Sequence, residues 1–398
     1  MNMSTPFRSA RPDSHHPMPD ATTATLDDWL QGSAYQGYAY SYPHKQAYRP
    51  LEEPVPLAPL WHRENREALF LYAHIPFCEM RCGFCNLFTT TNPEGDLVGR
   101  YLDSLAREAE AAAAFLGPHR FSRGAIGGGT PSFLEEAELA RLFAILRDTF
   151  GGLPSGMPLS FETSPATVSA GKLALLRELG VTRLSIGVQS FIEEETRQLG
   201  RPQQAPLVEA ALGMIREAGF PVFNLDLIYG VAGQTRQSWD YSLRRTLEFA
   251  PEEVYLYPLY VRPLTGLDRI GREASDQRPA LYRQAREMLL AAGYRQVSMR
   301  LFRKTNMESD PNQTEGPVYC CQEDGMLGLG AGARSYTAAL HYSTEYAVGR
   351  SGINEIIGSY ASRTPDEHSR ATYGCPLPPE EQRRRHVIKS LLRVPGLE

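Results

Sequence analysis

From residue 69 onward the chain repeats one pattern: a short apolar run, a loop, then a segment with helical apolar spacing. The apolar runs fall at residues 70–75, 125–126, 158–162, 183–188, 222–228 and 253–260. The helical segments fall at 97–115, 136–150, 172–179, 207–218, 238–249 and 280–292, with Gly180 and Gly219 closing two of them. Strands alternating with helices predict a parallel sheet with covered faces. Right-handed crossovers curl such a series into a barrel or partial barrel. The expected fold class is therefore α/β, a partial (β/α)6 barrel of the TIM type with an N-terminal arm and a C-terminal β/α extension.

The flanks set the expected domain limits: 1–50 an arm, 51–295 the barrel, 296–398 the extension. The first twenty or so residues are polar and proline-rich and are expected to be disordered. Residues 26–30 suit a short helix. The tyrosines Tyr35, Tyr38, Tyr40, Tyr42 and Tyr48 suit an arm packed across the barrel or a wall of a substrate pocket. Residues 297–302 read as a strand, 305–325 as a polar loop, 327–342 as β structure, 362–380 as a loop and 380–392 as a helix. The chain ends six residues later, which reads as a truncated extension or a short tail.

Into the loop after the first strand falls the run His74-Ile75-Pro76-Phe77-Cys78-Glu79-Met80-Arg81-Cys82-Gly83-Phe84-Cys85. The spacing C-x3-C-x2-C offers three thiolates, enough to hold three irons of a [4Fe-4S] cube and leave the fourth open. An open iron can bind a small molecule and pass it an electron. Zinc is the competing reading, with His74 as a fourth ligand, although structural zinc prefers paired C-x2-C clusters. Cys320, Cys321 and Cys375 lie far away without metal spacing. A disulfide framework fits poorly, because three clustered cysteines leave one over. The net charge of −5 argues against a nucleic-acid-coating protein. No apolar run approaches the ~18 residues that span a bilayer, and the N-terminus has no apolar signal region, so the cytoplasm is expected.

Side chains at the C-terminal ends of parallel barrel strands converge on one face. Read in order, those ends are the cysteine loop, then Gly128-Gly129-Thr130-Pro131, Glu162, Gln189-Ser190, Asp226 with Tyr229-Gly230, and Tyr257 with Tyr260. The glycines are expected to expose backbone amides and carbonyls to a ligand. Glu162 suits an ammonium group and Asp226 a pair of ribose hydroxyls. Arg201 suits a carboxylate gripped in a bidentate pair, or plain solvent. Phe84 suits an adenine ring or loop packing. Arg262, Arg300, Arg303 and Lys304 suit an anionic substrate or solvent.

Over roughly residues 69–345 these motifs resemble the radical SAM superfamily, and within it the oxygen-independent coproporphyrinogen III oxidase-like group. The matching pieces are the cysteine run, Gly128 to Ser132, Glu162 with Pro165, Leu184 to Phe191, Asp226 to Gly230 and Leu327 to Gly332. The resemblance implies a barrel of the radical SAM type. Cys78, Cys82 and Cys85 would hold the cluster. Tyr72, Phe84, Gly128, Gly129, Thr130, Glu162, Gln189, Arg201 and Asp226 would line the site of S-adenosylmethionine (SAM). Some members hold a second SAM, a region that Gly328 to Ala333 would face. The implied chemistry is reductive cleavage of SAM to a 5′-deoxyadenosyl radical, fed by a donor such as flavodoxin or ferredoxin. In the oxidases that radical leads to oxidative decarboxylation of tetrapyrrole propionates. The group also holds haem carriers and methyltransferases. This chain has Leu87 where the oxidases carry a fourth cysteine, and it lacks the His-Asn-x-x-Tyr-Trp signature of the haem chaperones.

Overall fold

The computed structural model describes Thr25, Tyr35 and residues 42–154, 156–305, 325–347 and 349–391. The expected helix at 26–30, the expected disorder before it, Tyr38, Tyr40 and most of the 305–325 loop lie outside the described residues.

Fifteen strands form among the described residues. They are β1 (Arg49–Pro56), β2 (Leu69–Ile75), β3 (Phe77–Cys78), β4 (Thr90–Thr91), β5 (Phe121–Gly128), β6 (Leu159–Thr163), β7 (Arg183–Gln189), β8 (Val222–Tyr229), β9 (Glu253–Pro258), β10 (Tyr294–Gln296), β11 (Leu301–Lys304), β12 (Met326–Leu329), β13 (Arg334–Tyr336), β14 (Leu340–Ser343) and β15 (Arg370–Pro376). Thirteen of them share one sheet in the order β1-β15-β14-β13-β12-β2-β5-β6-β7-β8-β9-β11-β10. From β12 through β9 every pairing is parallel. The two flanks are antiparallel.

The six expected strand–helix units are all present, each within a few residues of its predicted limits. The sheet is the α/β partial barrel. On β2, Leu69, Leu71, Ala73 and Ile75 join the main core, beside Leu102, Leu105 and Ala109 of the helix Leu97–Leu116. The alternate residues Phe70 and Tyr72 form a separate cluster with Met326 and Tyr336. One face of each strand thus packs on helices and the other looks into the barrel. At roughly 25 cal/mol per Å² of buried apolar surface, the outer layer is the main source of stability.

The inward face is polar. Near the strand starts Glu253 sits between two guanidiniums, Arg183 at 2.7 Å and Arg303 at 2.5 Å, all nearly inaccessible. Arg183 also donates to Ser160 Oγ at 2.9 Å. Burial opposes the charge on Glu253, but the two arginines hold its carboxyl below the ordinary range. Arg303 was a candidate substrate contact; it is instead part of this floor. Lys304 reaches the Ala250 carbonyl and Glu252, away from the strand ends.

The C-terminal part departs most from expectation. Instead of one strand at 297–302 there is a hairpin of β10 and β11. The supposed loop at 362–380 contains the helix Pro365–His368 and the strand β15. Thr364, Pro365 and Glu367 form a capping box with proline in the first turn, a local signal outweighed by the density of charge. β15 forms because β1 pairs with one of its edges and β14 with the other.

Candidate active site

The cysteine loop leaves β2 at Ile75 and is stitched into the ends of later strands. Gly129 N donates to the Ile75 carbonyl and Thr130 N to the Phe77 carbonyl, both at 2.8 Å. Gly83 N donates to the carbonyls of Leu199 (3.0 Å) and Gly200 (3.2 Å), and Gly83 O accepts from Leu267 N at 2.8 Å. Gly83, Gly200 and Gly266 interlock: a Cβ on Gly200 would lie 2.9 Å, and one on Gly266 3.1 Å, from Gly83 Cα. Phe84 packs on the small apolar cluster of Leu199, Ile228, Val231, Leu259 and Leu267.

Cys78 and Cys82 are buried, Cys85 is half-buried, and all three are free thiols. Thr130 Oγ1 lies 3.5 Å from Cys78 Sγ. Arg201 donates one N–H to Cys82 Sγ at 3.1 Å and another to the Gly187 carbonyl at 3.0 Å. Burial pushes the Cys78 thiol up to about 12, with Thr130 pulling the other way and Cys85 adding to the rise. Burial also raises Cys82, against Arg201 and with Cys85. A coordinated iron would strip these protons, since a metal-bound thiol is deprotonated outright.

Among the described residues no trio of His, Cys, Asp and Glu could hold a single metal ion. A cube needs sulfurs at separate corners, farther apart than the ligands of one ion. The three cysteines on one short loop, each within electrostatic reach of the others, fit that requirement. His74 does not supply a fourth ligand. Its ring nitrogens face Tyr72 OH (3.2 Å) and the Phe88 carbonyl (3.0 Å), and burial pushes it down to about 4 despite that carbonyl.

Above the floor the inward residues carry acids. Glu162 Oε2 accepts from Gly128 N at 3.2 Å. Asn224 Nδ2 donates to Asp226 Oδ1 at 2.7 Å and to Ser185 Oγ at 2.6 Å. Burial first and Asp226 second push Glu162 up to about 7. Burial pushes Asp226 up to about 6 against the Asn224 hydrogen bond. Glu162 is exposed to the lumen and Asp226 is half-buried, so water reaches both. That water screens both carboxylates. The direction of the shifts holds, and their size is smaller than full burial would give.

Gln189 takes φ +69° where the β7–β8 register slips between Gly187 and Gln189. Its Nε2 lies over Gly187, where a Cβ would sit 2.5 Å away. Ser190 faces Glu195 on the outer side instead.

The glycines at the end of β5 have their amides engaged rather than open to a ligand. The Gly128, Gly129 and Thr130 amides are all used within the protein. What the sequence requires there is close approach. A Cβ on Gly128, at φ +117°, would enter the His74 ring at 2.7 Å, and one on Gly129 would lie 2.9 Å from Cys78 Sγ. The amides of Gly328, Gly330 and Gly332 are likewise taken, by Ser335, Glu108 and Thr344. Tyr257 and Tyr260 stand at the mouth with Arg300 and Arg262 over their rings, at 5.4 and 4.6 Å. Tyr35 reaches the same wall, edge-on to Tyr229 and under Arg278 at 4.6 Å. The floor triad, Asn224 and the contacts around Lys45 were not foreseen. Charged residues opening otherwise apolar strands, Arg183 and Glu253, were the available signal for the triad.

The family model of the radical SAM superfamily matches residues 72–245. Oxygen-independent coproporphyrinogen III oxidase of Escherichia coli K12 is 30% identical over 342 residues, which span 83% of this chain and 73% of that protein. The chain belongs to the radical SAM superfamily.

Within this superfamily, the Salmonella typhimurium coproporphyrinogen oxidase is 29% identical over 382 residues, 92% of this chain and 81% of that protein. The heme chaperone HemW of Bacillus subtilis is 33% identical over 271 residues, 67% of this chain and 70% of its own. The solved coproporphyrinogen III oxidase of E. coli superposes with a TM-score of 0.76 at 27% identity, over 89% of this chain and 82% of that one. The protein is a radical SAM enzyme related to oxygen-independent coproporphyrinogen III oxidase, and its cofactors are a [4Fe-4S] cluster and SAM. No helix among the described residues is long and apolar enough to cross a membrane.

Proposed function

We propose that the enzyme acts on a polycarboxylate tetrapyrrole, in the manner of coproporphyrinogen dehydrogenation. The observation that carries this reading is the character of the mouth. Arg262, Arg300 and Arg278 all act electrostatically on Tyr260. Nearer the cysteine loop stands Lys45, which burial first and Arg334 and Arg262 after it push down to about 7, so an anionic ligand would restore its charge. Beside these cations stand exposed apolar side chains, Leu87 in the cysteine loop, Leu264 and Ile270 in the connection after β9, and Met299 at the turn into β11. An apolar macrocycle with carboxylate arms matches a rim that mixes both.

When bound, the cluster and SAM supply one-electron chemistry that ends in hydrogen abstraction from an unactivated carbon. Cys78, Cys82 and Cys85 hold the cluster. Arg201 and Thr130 keep donors on two of the sulfurs, which favours the reduced state. Glu162 accepts from the ammonium of SAM and Asp226 from its ribose. Arg201 keeps a buried, unpartnered Nε that would be free to meet the SAM carboxylate. Phe84, Tyr72, Gln189, Gly128 and Gly129 wall the site. A cytoplasmic flavodoxin or ferredoxin delivers the electron.

The test is anaerobic incubation of reconstituted enzyme with SAM, a low-potential reductant and coproporphyrinogen, with products weighed by mass spectrometry. Loss of two carboxyl groups is expected. SAM cleavage with an unchanged tetrapyrrole, or a gained methyl, would refute the substrate assignment. A haem-carrier role is the second reading, favoured by the Bacillus chaperone and by Leu87 in place of cysteine. Stoichiometric haem binding without turnover would establish it instead.

A further inference from the structure

The peptide that follows Cys85 is held from two sides. Lys45 Nζ donates to the Asn86 carbonyl at 2.9 Å, and Tyr346 OH donates to the same oxygen at 2.6 Å. Lys45 also contacts the Tyr346 hydroxyl, and its ammonium sits 4.0 Å over the ring. Lys45 belongs to a short 3-10 turn, Lys45–Ala47, in the N-terminal arm. That turn is fastened in its own right. Three residues earlier, the Tyr42 hydroxyl donates to Glu381 at 2.5 Å and the Tyr42 carbonyl accepts from Arg385 at 2.5 Å, both partners on the helix Pro379–Leu391. A chain of contacts therefore runs from the C-terminal helix through the arm to the residue next to the third cysteine. Asn86 follows Cys85 directly, so the Lys45 nitrogen stands next to the third cysteine; burial and Arg334 push Lys45 down to about 7, and an anionic sulfur at Cys85 pulls it back up, so a negative cluster there favours the ammonium. Leu87, one residue beyond the clamp, projects outward at 45% exposure and cannot fasten the segment itself.

We propose that Lys45, with Tyr346, is a positioning residue for the cluster: it locks the Asn86 peptide behind Cys85 and sets an ammonium beside that corner of the cube. This rests on the reading that Cys78, Cys82 and Cys85 hold the cluster. Hydrogen bonds, net charge and solvent access are the protein's levers on iron–sulfur potentials. A cation close to the cube favours the state that has gained negative charge. Reduction adds one electron from an external low-potential one-electron donor and makes or breaks no bond.

The experiment uses the full chain, reconstituted anaerobically, as wild type, Lys45→Met, Lys45→Arg and Tyr346→Phe. Three quantities are read: iron and sulfide per chain, the rate of iron loss to a ferrous chelator, and the cluster midpoint potential from a dithionite titration followed by electron paramagnetic resonance. Lys45→Met is expected to assemble a cluster, lose iron several-fold faster and titrate at a more negative potential. Lys45→Arg restores the potential. Tyr346→Phe speeds iron loss with little change in potential. A Lys45→Met protein whose potential equals that of wild type overturns the proposal even if iron loss is faster, because packing alone explains such a result. Wild-type protein that holds no cluster sinks the underlying assignment, a failure visible before any variant is compared.

Discussion

Replacing Gly83 with alanine tests whether the cysteine loop is held by backbone contact, as the geometry requires. The added Cβ would sit 2.8 Å from the Leu199 carbonyl oxygen, 3.1 Å from Leu267 Cδ2 and 3.3 Å from Gly200 Cα. The first of these is shorter than real Cβ contacts allow, and two of the three neighbours are backbone. The loop must therefore shift, and the hydrogen bonds of Gly83 N to Leu199 and of Leu267 N to Gly83 weaken with it. Overpacking costs about 1–3 kcal/mol, and each hydrogen bond contributes about 1 kcal/mol. A total near 3 kcal/mol lowers the population of the closed loop by a factor on the order of 100. The damage is local, so the variant should keep its circular dichroism while its iron content falls and its chelator-driven iron loss speeds up. Gly213→Ala is the control. Gly213 lies in the helix Ala205–Ala218 with nothing within 4 Å of its Cβ position, so that variant should retain the cluster and gain about 0.5–1 kcal/mol. A Gly83→Ala protein with a full iron complement and a wild-type release rate would show that the glycine contacts do not position the cysteines.

Two further outcomes follow from the lumen. Glu162 is raised from 4.5 to about 7, so the folded chain holds this proton more tightly than the unfolded one, and stability should fall as pH rises between those values and level off above. The full shift corresponds to about 3 kcal/mol, which screening by lumen water reduces to roughly 1–2; urea titrations at pH 5 and 8 should lose this slope in Glu162→Gln, and an unchanged slope would exclude Glu162 as its source. Glu253→Gln leaves Arg183 and Arg303 facing each other without their shared carboxylate, at a cost of about 3–5 kcal/mol; a urea midpoint within error of wild type would contradict that reading.

The barrel was legible because its signals are local and periodic. In the runs 70–75 and 183–188 one face is apolar throughout, Leu71, Ala73 and Ile75 on the first and Leu184, Ile186 and Val188 on the second, as strands packed under a helical layer must be. Glu162, Gln189 and Asp226 could be found because chain order fixes which strand end each occupies. β15 was not legible: Arg370 to Pro376 has little apolar alternation and becomes a strand only between β1 and β14, partners more than 25 residues away in sequence. The close packing at Gly128 and Gly129 was not legible for a related reason. Composition shows that a side chain is missing, but not whether the space belongs to a ligand or to His74 and Cys78. Lys45 was invisible because its partner is a backbone carbonyl, and no residue type marks such a site.

The placement of charge along the barrel axis explains how one set of strand ends can serve two ligands of opposite character. At the floor one carboxylate lies between two guanidiniums, leaving a net positive base that is sealed from solvent. The next layer is acidic: burial raises the cost of ionising both Glu162 and Asp226, and Asp226 adds to it at Glu162, a penalty that a cationic partner relieves. SAM carries a sulfonium and an ammonium against a single carboxylate, so its net charge suits that layer. The mouth then turns basic again through Arg262, Arg278 and Arg300. The polycarboxylate substrate proposed above would be attracted to the rim and repelled by the acids below it. The cationic cofactor meets the reverse field. At effective dielectric constants near 20, charges 4 Å apart interact by about 4 kcal/mol, enough to sort the two ligands by layer. Arg201 sets a cation beside the cysteine loop, and its two engaged N–H groups are spent on Cys82 and Gly187, which ties it to the cluster rather than to the substrate.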